Sequence, residues 1–192
     1  MEQTSQLEDE QLVNGVCLQF ANMLRDEVKA EPDFAVGRWR IESKWTGQTG
    51  SVAQIKDSNL GGDDLVRNFS IEMDQPHELC GGNAHASPQE HLIAALAGCF
   101  IANFSAVAAL RGIQLSRLQV NISGTCDMRG LFDLPSDGAA GFKDVKFEVV
   151  VAGNASEEVL MSVFEHVKEI SPNIDCFGNA TPVATHMQVE EA

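Results

Sequence analysis

The chemistry open to this 192-residue chain rests mainly on five cysteines: Cys17, Cys80, Cys99, Cys126 and Cys176. Their number is odd, their spacing is irregular and no Cys-x-x-Cys pair occurs. That argues against a disulfide framework and for a reducing compartment, the cytoplasm. Cys99 stands apart from the rest. It lies within "ASPQEHLIAALAGCFIANFSAVAALRGI", a long apolar run rich in small residues. One reading makes it a small apolar core residue, since free cysteine is among the most buried residue types. The other makes it a redox thiol, which reacts as the thiolate and needs a positive charge nearby. Cys99 sits three turns inside its helix, beyond the first turn where the helix dipole acts. An activating cation must then come from another strand or from a partner chain.

Other constellations are weaker. His77, Cys80, His85 and His91 are of the types that bind zinc, but their spacing matches no common site, and no metal is expected. A glycine-rich phosphate loop, a Gly-x-Ser-x-Gly elbow and paired carboxylates are all missing from the sequence. A net charge of −15 disfavours nucleic acid and anionic membranes as partners. The uncharged stretch Leu92 to Leu110 is long enough to cross a bilayer. It is dominated by alanine and contains Gly98, Asn103 and Ser105, so it reads instead as a helix buried on all sides within protein. The acidic opening "MEQTSQLEDEQLVNG" has no basic region before an apolar run, and no signal peptide is expected.

The elements that must position Cys99 follow from periodicity. Glu2 to about Lys29 has apolar residues at helical spacing and is expected to be an accessory helix, ended by Glu31-Pro32. Arg38 to Trp45 alternates with period two, as a half-buried strand does. "TGQTG" and "NLGGDD" are turns around a second strand near Ser51 to Lys56, and Phe69, Ile71 and Met73 mark a third. The three form an antiparallel meander. Ser87-Pro88-Gln89-Glu90 is a capping box with proline at the first helical position, so a helix starts there and runs to Leu110, closed by Arg111-Gly112. A strand through Leu118, Val120 and Ile122 carries Cys126 in phase, and Val145 to Val151 alternates strictly. A second helix carries a stripe of Val159, Leu160, Val163, Phe164 and Val167, and a last strand is expected from about Pro182 to Val189. This order is α+β. A helix apolar on all sides needs cover that one small sheet cannot supply, so an obligate homodimer is expected, with the long helices at its centre.

These residues also carry a resemblance. "SPQEHLIAALAGCFIANFSAVAALRGI", the "CGG" before it, "VNISGTCDMRGLFDL" after it and "SPNIDCFGNATPV" near the end resemble the OsmC family, which includes the organic hydroperoxide resistance proteins. The match covers about Phe34 to Val189 and divides the chain into an N-terminal accessory helix, residues 1–32, and an OsmC-like domain, residues 33–192. It implies an α+β fold of antiparallel sheets packed on long central helices, in an intertwined homodimer with active sites at the subunit interface. It implies a small-molecule peroxide as substrate, a dithiol reductant and no cofactor. It makes Cys99 the counterpart of the peroxidatic cysteine. The resolving cysteine, which opens a Cys-Pro pair in active relatives, falls here on Ser171-Pro172, with Cys176 a few residues on as a substitute. The carboxylate ten residues before the reactive cysteine falls on Gln89, with Glu90 adjacent but facing elsewhere. The activating arginine's usual place after the first glycine turn holds none, which leaves Arg38 and Arg40 on the strand before it. The alternative from another class is a non-catalytic relative with an apolar interface pocket: a binder of a small apolar ligand, with the thiol incidental, or a thiol sensor.

Overall fold

The computed structural model describes residues 12–136, 138 and 140–190. The chain opens with a hairpin of β1 (Leu12–Val13) and β2 (Val16–Cys17), followed by α1 (Leu18–Ala30). The continuous helix expected from Glu2 is therefore replaced by a hairpin over 12–17, and its residues 2–11 lie outside the described ones. The reason is Asn14-Gly15. Both take left-handed dihedrals, φ 54° and 78°, which suit a two-residue hairpin turn and break a helix. Asn14 also docks this hairpin. Its amide donates to the Ile113 carbonyl at 2.9 Å, and its side-chain oxygen accepts from the Leu115 N–H at 2.8 Å. Cys17 caps α1, its sulfur accepting from the Phe20 N–H at 3.3 Å.

β3 (Arg38–Gly47), β4 (Gly50–Leu60) and β5 (Asp63–Met73) form the expected antiparallel meander in the order β3-β4-β5. The expected half-burial of β3 is absent in the protomer. Trp39 and Trp45 are 74% and 76% exposed, because no element among the described residues covers that face. The base of the meander is fixed to the following loop by Asp74, which is buried. Its carboxylate accepts from the Thr49 hydroxyl at 2.8 Å and from the backbone N–H groups of Gln75 at 2.8 Å and Ala84 at 3.2 Å. Gly81 presses on the Gln75 backbone so closely that a Cβ there would lie 1.8 Å from its carbonyl oxygen.

The Thr49 hydroxyl, then the Ala84 N–H, hold the Asp74 carboxyl below its ordinary range. The folded chain therefore favours the carboxylate. Its stabilising effect is complete above the unfolded value of about 3.9 and is lost as pH falls through the lower folded value. Acidification below about pH 4 is expected to lower the amide-exchange protection factors at Gln75 and Ala84, measured against the intrinsic rate at each pH, and Asp74→Asn to flatten that pH dependence.

α2 (Pro88–Leu110) starts at the expected capping box: the Ser87 N–H donates to Glu90 Oε2 at 2.7 Å and the Glu90 N–H to Ser87 Oγ at 3.3 Å. It ends as expected too, with Gly112 at φ 71° and the Ile113 N–H donating to the Ala108 carbonyl at 2.8 Å. β6 (Leu115–Cys126) pairs antiparallel with β7 (Phe142–Gly153), and α3 (Glu157–Ile170) covers the core with them. Phe100, Phe104 and Ala108 recur every four residues on the inner face of α2. They pack with Ile113, Val163 and Val167 against Leu118, Val120, Phe147 and Val149. Val159, expected in the α3 stripe, is exposed.

α2 is long and apolar enough to cross a bilayer, yet its inner face is core. The expectation that it is buried on all sides is met on that face alone. Leu92, Ala94, Ala95, Gly98, Ile101 and Ala102 are exposed on the rest of the helix. Two further differences concern the C-terminus. Pro172, expected only to interrupt, opens α4 (Pro172–Gly178), since proline fits the first helical turn. The strand expected over 182–189 does not form: this segment has no ladder partner among the described residues, and Val183, Met187 and Val189 stand exposed.

Candidate active site

Cys99 lies at the start of the fourth turn of α2, half-buried, one residue before the fully buried Phe100. Its sulfur has two polar partners among the described residues. The Ser171 hydroxyl lies 3.5 Å away, and the Asn103 amide N–H donates from 3.5 Å. Asn103 is one helical turn on, so the spacing of four residues places the two side chains on one face.

Ser171 is 1% exposed and is held from both sides. It is the C-cap of α3, its N–H donating to the Val167 carbonyl at 3.0 Å. It is also the N-cap of α4, where its carbonyl accepts from the Asp175 N–H at 3.1 Å. Asn173 ties α4 to α2 by donating to the Ala95 carbonyl at 2.9 Å. The Ser171 hydroxyl is thus aimed at Cys99 by backbone on three helices. Beside this junction, a cleft of ≈ 450 Å³ is lined by Leu96, Phe147, Phe164, Ile174 and Phe177, with Lys168 also on its wall.

The other residues singled out from the sequence are not gathered at Cys99 within one protomer. Gln89 and Cys99 are ten residues apart on one helix, a rise of about 15 Å. The Gln89 side chain instead accepts from the Gln75 amide at 3.2 Å, while the Gln75 side-chain oxygen is buried without a donor. Glu90 is consumed by the capping box, and hydrogen bonds from Ser87, backbone first and hydroxyl second, keep its carboxyl below the usual range. Arg40 pairs with Asp57 across β3 and β4. Arg38 is exposed on β3, in a surface hollow with Trp39, Arg40 and Asp57. Cys176 is exposed on α4, five residues beyond Ser171. Among the described residues no disulfide joins any of the five cysteines.

Other cations are engaged elsewhere: Arg129 with Asp127 at 2.6 Å, Arg111 with the Ser162 hydroxyl at 3.0 Å. The four residues considered for a metal are separately engaged or apart. His77 meets the Gly81 carbonyl, His85 pairs with Glu72, His91 meets the Ser87 carbonyl, and Cys80 stands exposed in a left-handed turn. Among the described residues no three potential ligands converge. Asn103 and Gln75 were not singled out from sequence. The Cys99/Asn103 spacing was the available signal for the first; the second had none.

The comparisons with known proteins bear on the fold and the family. No curated protein matches this chain. The structure of an OsmC-like protein from Mycoplasma pneumoniae superposes with a TM-score of 0.58 at 18% identity, over 73% of this chain and 87% of that one. An OsmC-like protein of unknown function from Vibrio cholerae superposes with a TM-score of 0.54 at 16% identity, over 72% and 92% of the respective chains. At such identities the likeness concerns the fold alone. The family model described as OsmC-like protein matches residues 81–186, from the glycine pair before α2 to beyond α4, and on that match over more than half its length this chain belongs to the OsmC-like family.

Proposed function

We propose that this chain is a thiol-dependent hydroperoxide reductase that works in the cytoplasm as a homodimer, with Cys99 as the sulfur that attacks the peroxide. The observation that carries this reading is the placing of Cys99: a half-buried sulfur with a buried hydroxyl and an amide N–H each at 3.5 Å, beside an apolar cleft. The Cys99 thiolate attacks one peroxide oxygen, the O–O bond breaks, and the departing alkoxide takes a proton to become an alcohol. The sulfur is left as a sulfenic acid, which thiols return to the starting state. The cleft suits an organic hydroperoxide with an apolar body. In an assay with cumene hydroperoxide and dithiothreitol, the protein is expected to accelerate peroxide loss catalytically. Loss no faster than with dithiothreitol alone would end the reading.

The open side of α2 supports the dimer. Leu92, Ile101 and the small residues between them would be left against water, as would the Trp39 and Trp45 face of the meander. A stable interface removes on the order of 1,200–2,000 Å² or more from water, and small residues let helices approach closely. A second copy meets both needs and brings further strands to a sulfur whose polar partners among the described residues are Ser171 and Asn103. Gly98 provides the test, because a side chain added there meets nothing within 4 Å in one chain. Gly98→Glu is expected to leave the protomer folded by circular dichroism and to shift micromolar sedimentation from dimer to monomer. An unshifted dimer would place the interface elsewhere.

One observation favours a second reading. Among the described residues the polar partners of the Cys99 sulfur are the uncharged Ser171 and Asn103, as a non-catalytic binder of small apolar ligands would allow. Tight binding of an apolar ligand with no peroxide turnover would favour it.

A further inference from the structure

We infer that Ser171 makes this a one-sulfur site: oxidised Cys99 remains a sulfenic acid, held by Ser171 and Asn103, until an exogenous thiol reduces it. This rests on the reading of Cys99 as the peroxide-reducing sulfur and adds the fate of the oxidised state and the class of reductant. The Ser171 oxygen lies 3.5 Å from the Cys99 sulfur, in the space that a disulfide partner would need, and an alcohol cannot form that bond. None of the other four cysteines is among the polar partners of the Cys99 sulfur in the described residues. Cys176 is exposed on α4, whose first turn is fixed by Ser171 and Asn173. Moving Cys176 to Cys99 would unwind α4 and detach Asn173 from the Ala95 carbonyl. Cys17 caps α1, Cys80 is in the loop before α2, and Cys126 ends β6.

The same two groups that meet the thiol suit its oxidised form. The Asn103 N–H can donate to the sulfenic sulfur or oxygen, and the Ser171 hydroxyl can donate to that oxygen or accept its proton. Both are positioning residues. The cycle balances with two exogenous sulfhydryls per peroxide. The first displaces water from the sulfenic acid to give a mixed disulfide on Cys99. The second releases Cys99 as thiol and leaves the reductant as its own disulfide. A monothiol and a dithiol supply the same chemistry, and they differ in whether the mixed disulfide persists.

The test starts from fully reduced protein and one equivalent of cumene hydroperoxide, with no thiol present. The wild type is expected to lose one thiol per chain and to carry a single added oxygen on the Cys99 peptide. Limiting 2-mercaptoethanol then leaves its adduct on Cys99, whereas dithiothreitol restores the thiol without a lasting adduct. Ser171→Cys is expected to lose two thiols and link Cys99 to the introduced sulfur. Cys176→Ser guards against a misfolded Ser171 variant and is expected to behave as wild type. Asn103→Leu is expected to raise the fraction carried on to sulfinic acid by excess peroxide about fivefold, the equilibrium worth of one ordinary hydrogen bond. A wild-type disulfide between Cys99 and Cys176, its loss in Cys176→Ser, a folded Ser171→Cys without a new disulfide, or an unchanged Asn103→Leu would each overturn the inference while leaving peroxide reduction at Cys99 intact. No oxygen at Cys99 and no disulfide in any variant would overturn both.

Discussion

Cys99→Ser is expected to lower peroxide turnover by roughly a thousandfold or more, about 4 kcal/mol in the barrier, to the level of free thiol in solution. The reason is chemical rather than steric. Serine has nearly the shape of cysteine, and the Asn103 and Ser171 partners at 3.5 Å can meet an oxygen as they meet a sulfur. The substitution therefore leaves the packing of α2 in place and removes the nucleophile alone, since an alcohol is a poor nucleophile without an adjacent base. Steady-state hydroperoxide loss in the presence of dithiothreitol measures it, with the melting curve as control for folding. Retention of a tenth or more of the wild-type rate would move the chemistry to another thiol.

Phe100→Ala is expected to cost about 3–5 kcal/mol of stability, a large share of the 5–15 kcal/mol available to a typical domain. Phe100 is fully buried, and its ring lies 4.7 Å from that of Phe147 on β7, 5.7 Å from Phe164 on α3 and 5.8 Å from Phe104 on α2. One side chain thus joins the helix, the sheet and the covering helix, and truncation leaves a cavity at the point where all three meet. Urea denaturation checks the magnitude. Because Phe100 adjoins Cys99, loosening here also lets the sulfur drift from Ser171, and peroxide turnover is expected to fall further than the folded fraction alone explains.

How far these features were legible in the sequence depends on whether a signal was local. The start of α2 was, because Ser87, Pro88 and Glu90 specify a helix N-terminus within four residues, and all of them act as the pattern required. The meander and the β6–β7 pair were legible for a similar reason: alternation fixes a strand, and the glycine turns fix its neighbours. The N-terminal hairpin was not, because apolar residues at helical spacing outweighed Asn14-Gly15, a turn signal that decides the backbone by itself. The segment 182–189 has the alternation of a strand, yet a strand also needs a ladder partner, and the described residues offer none. α4 was hidden by reading Pro172 as a stop when it was equally a start.

The site divides in the same way. Cys99 was legible as the one sulfur in an otherwise apolar helix, and the family resemblance marked Ser171 some seventy residues away. That the two side chains meet is a tertiary fact, set by the ends of α3 and α4. Asn103 could have been found by counting one turn from Cys99. Gln89 and the arginines are a different case, since ten residues of helix or a separate sheet stand between them and the sulfur within one chain.

The central claim is that the Cys99 sulfur takes an oxygen from a peroxide, and a single-turnover burst tests it most directly. Reduced protein is mixed with equimolar cumene hydroperoxide in the absence of any reductant, and the alcohol product is measured against time. The account predicts a rapid burst of one alcohol per chain, abolished by prior alkylation of Cys99 and unaffected by alkylation confined to the exposed Cys80. Absence of a burst, or a burst that survives blocking of Cys99, would contradict it.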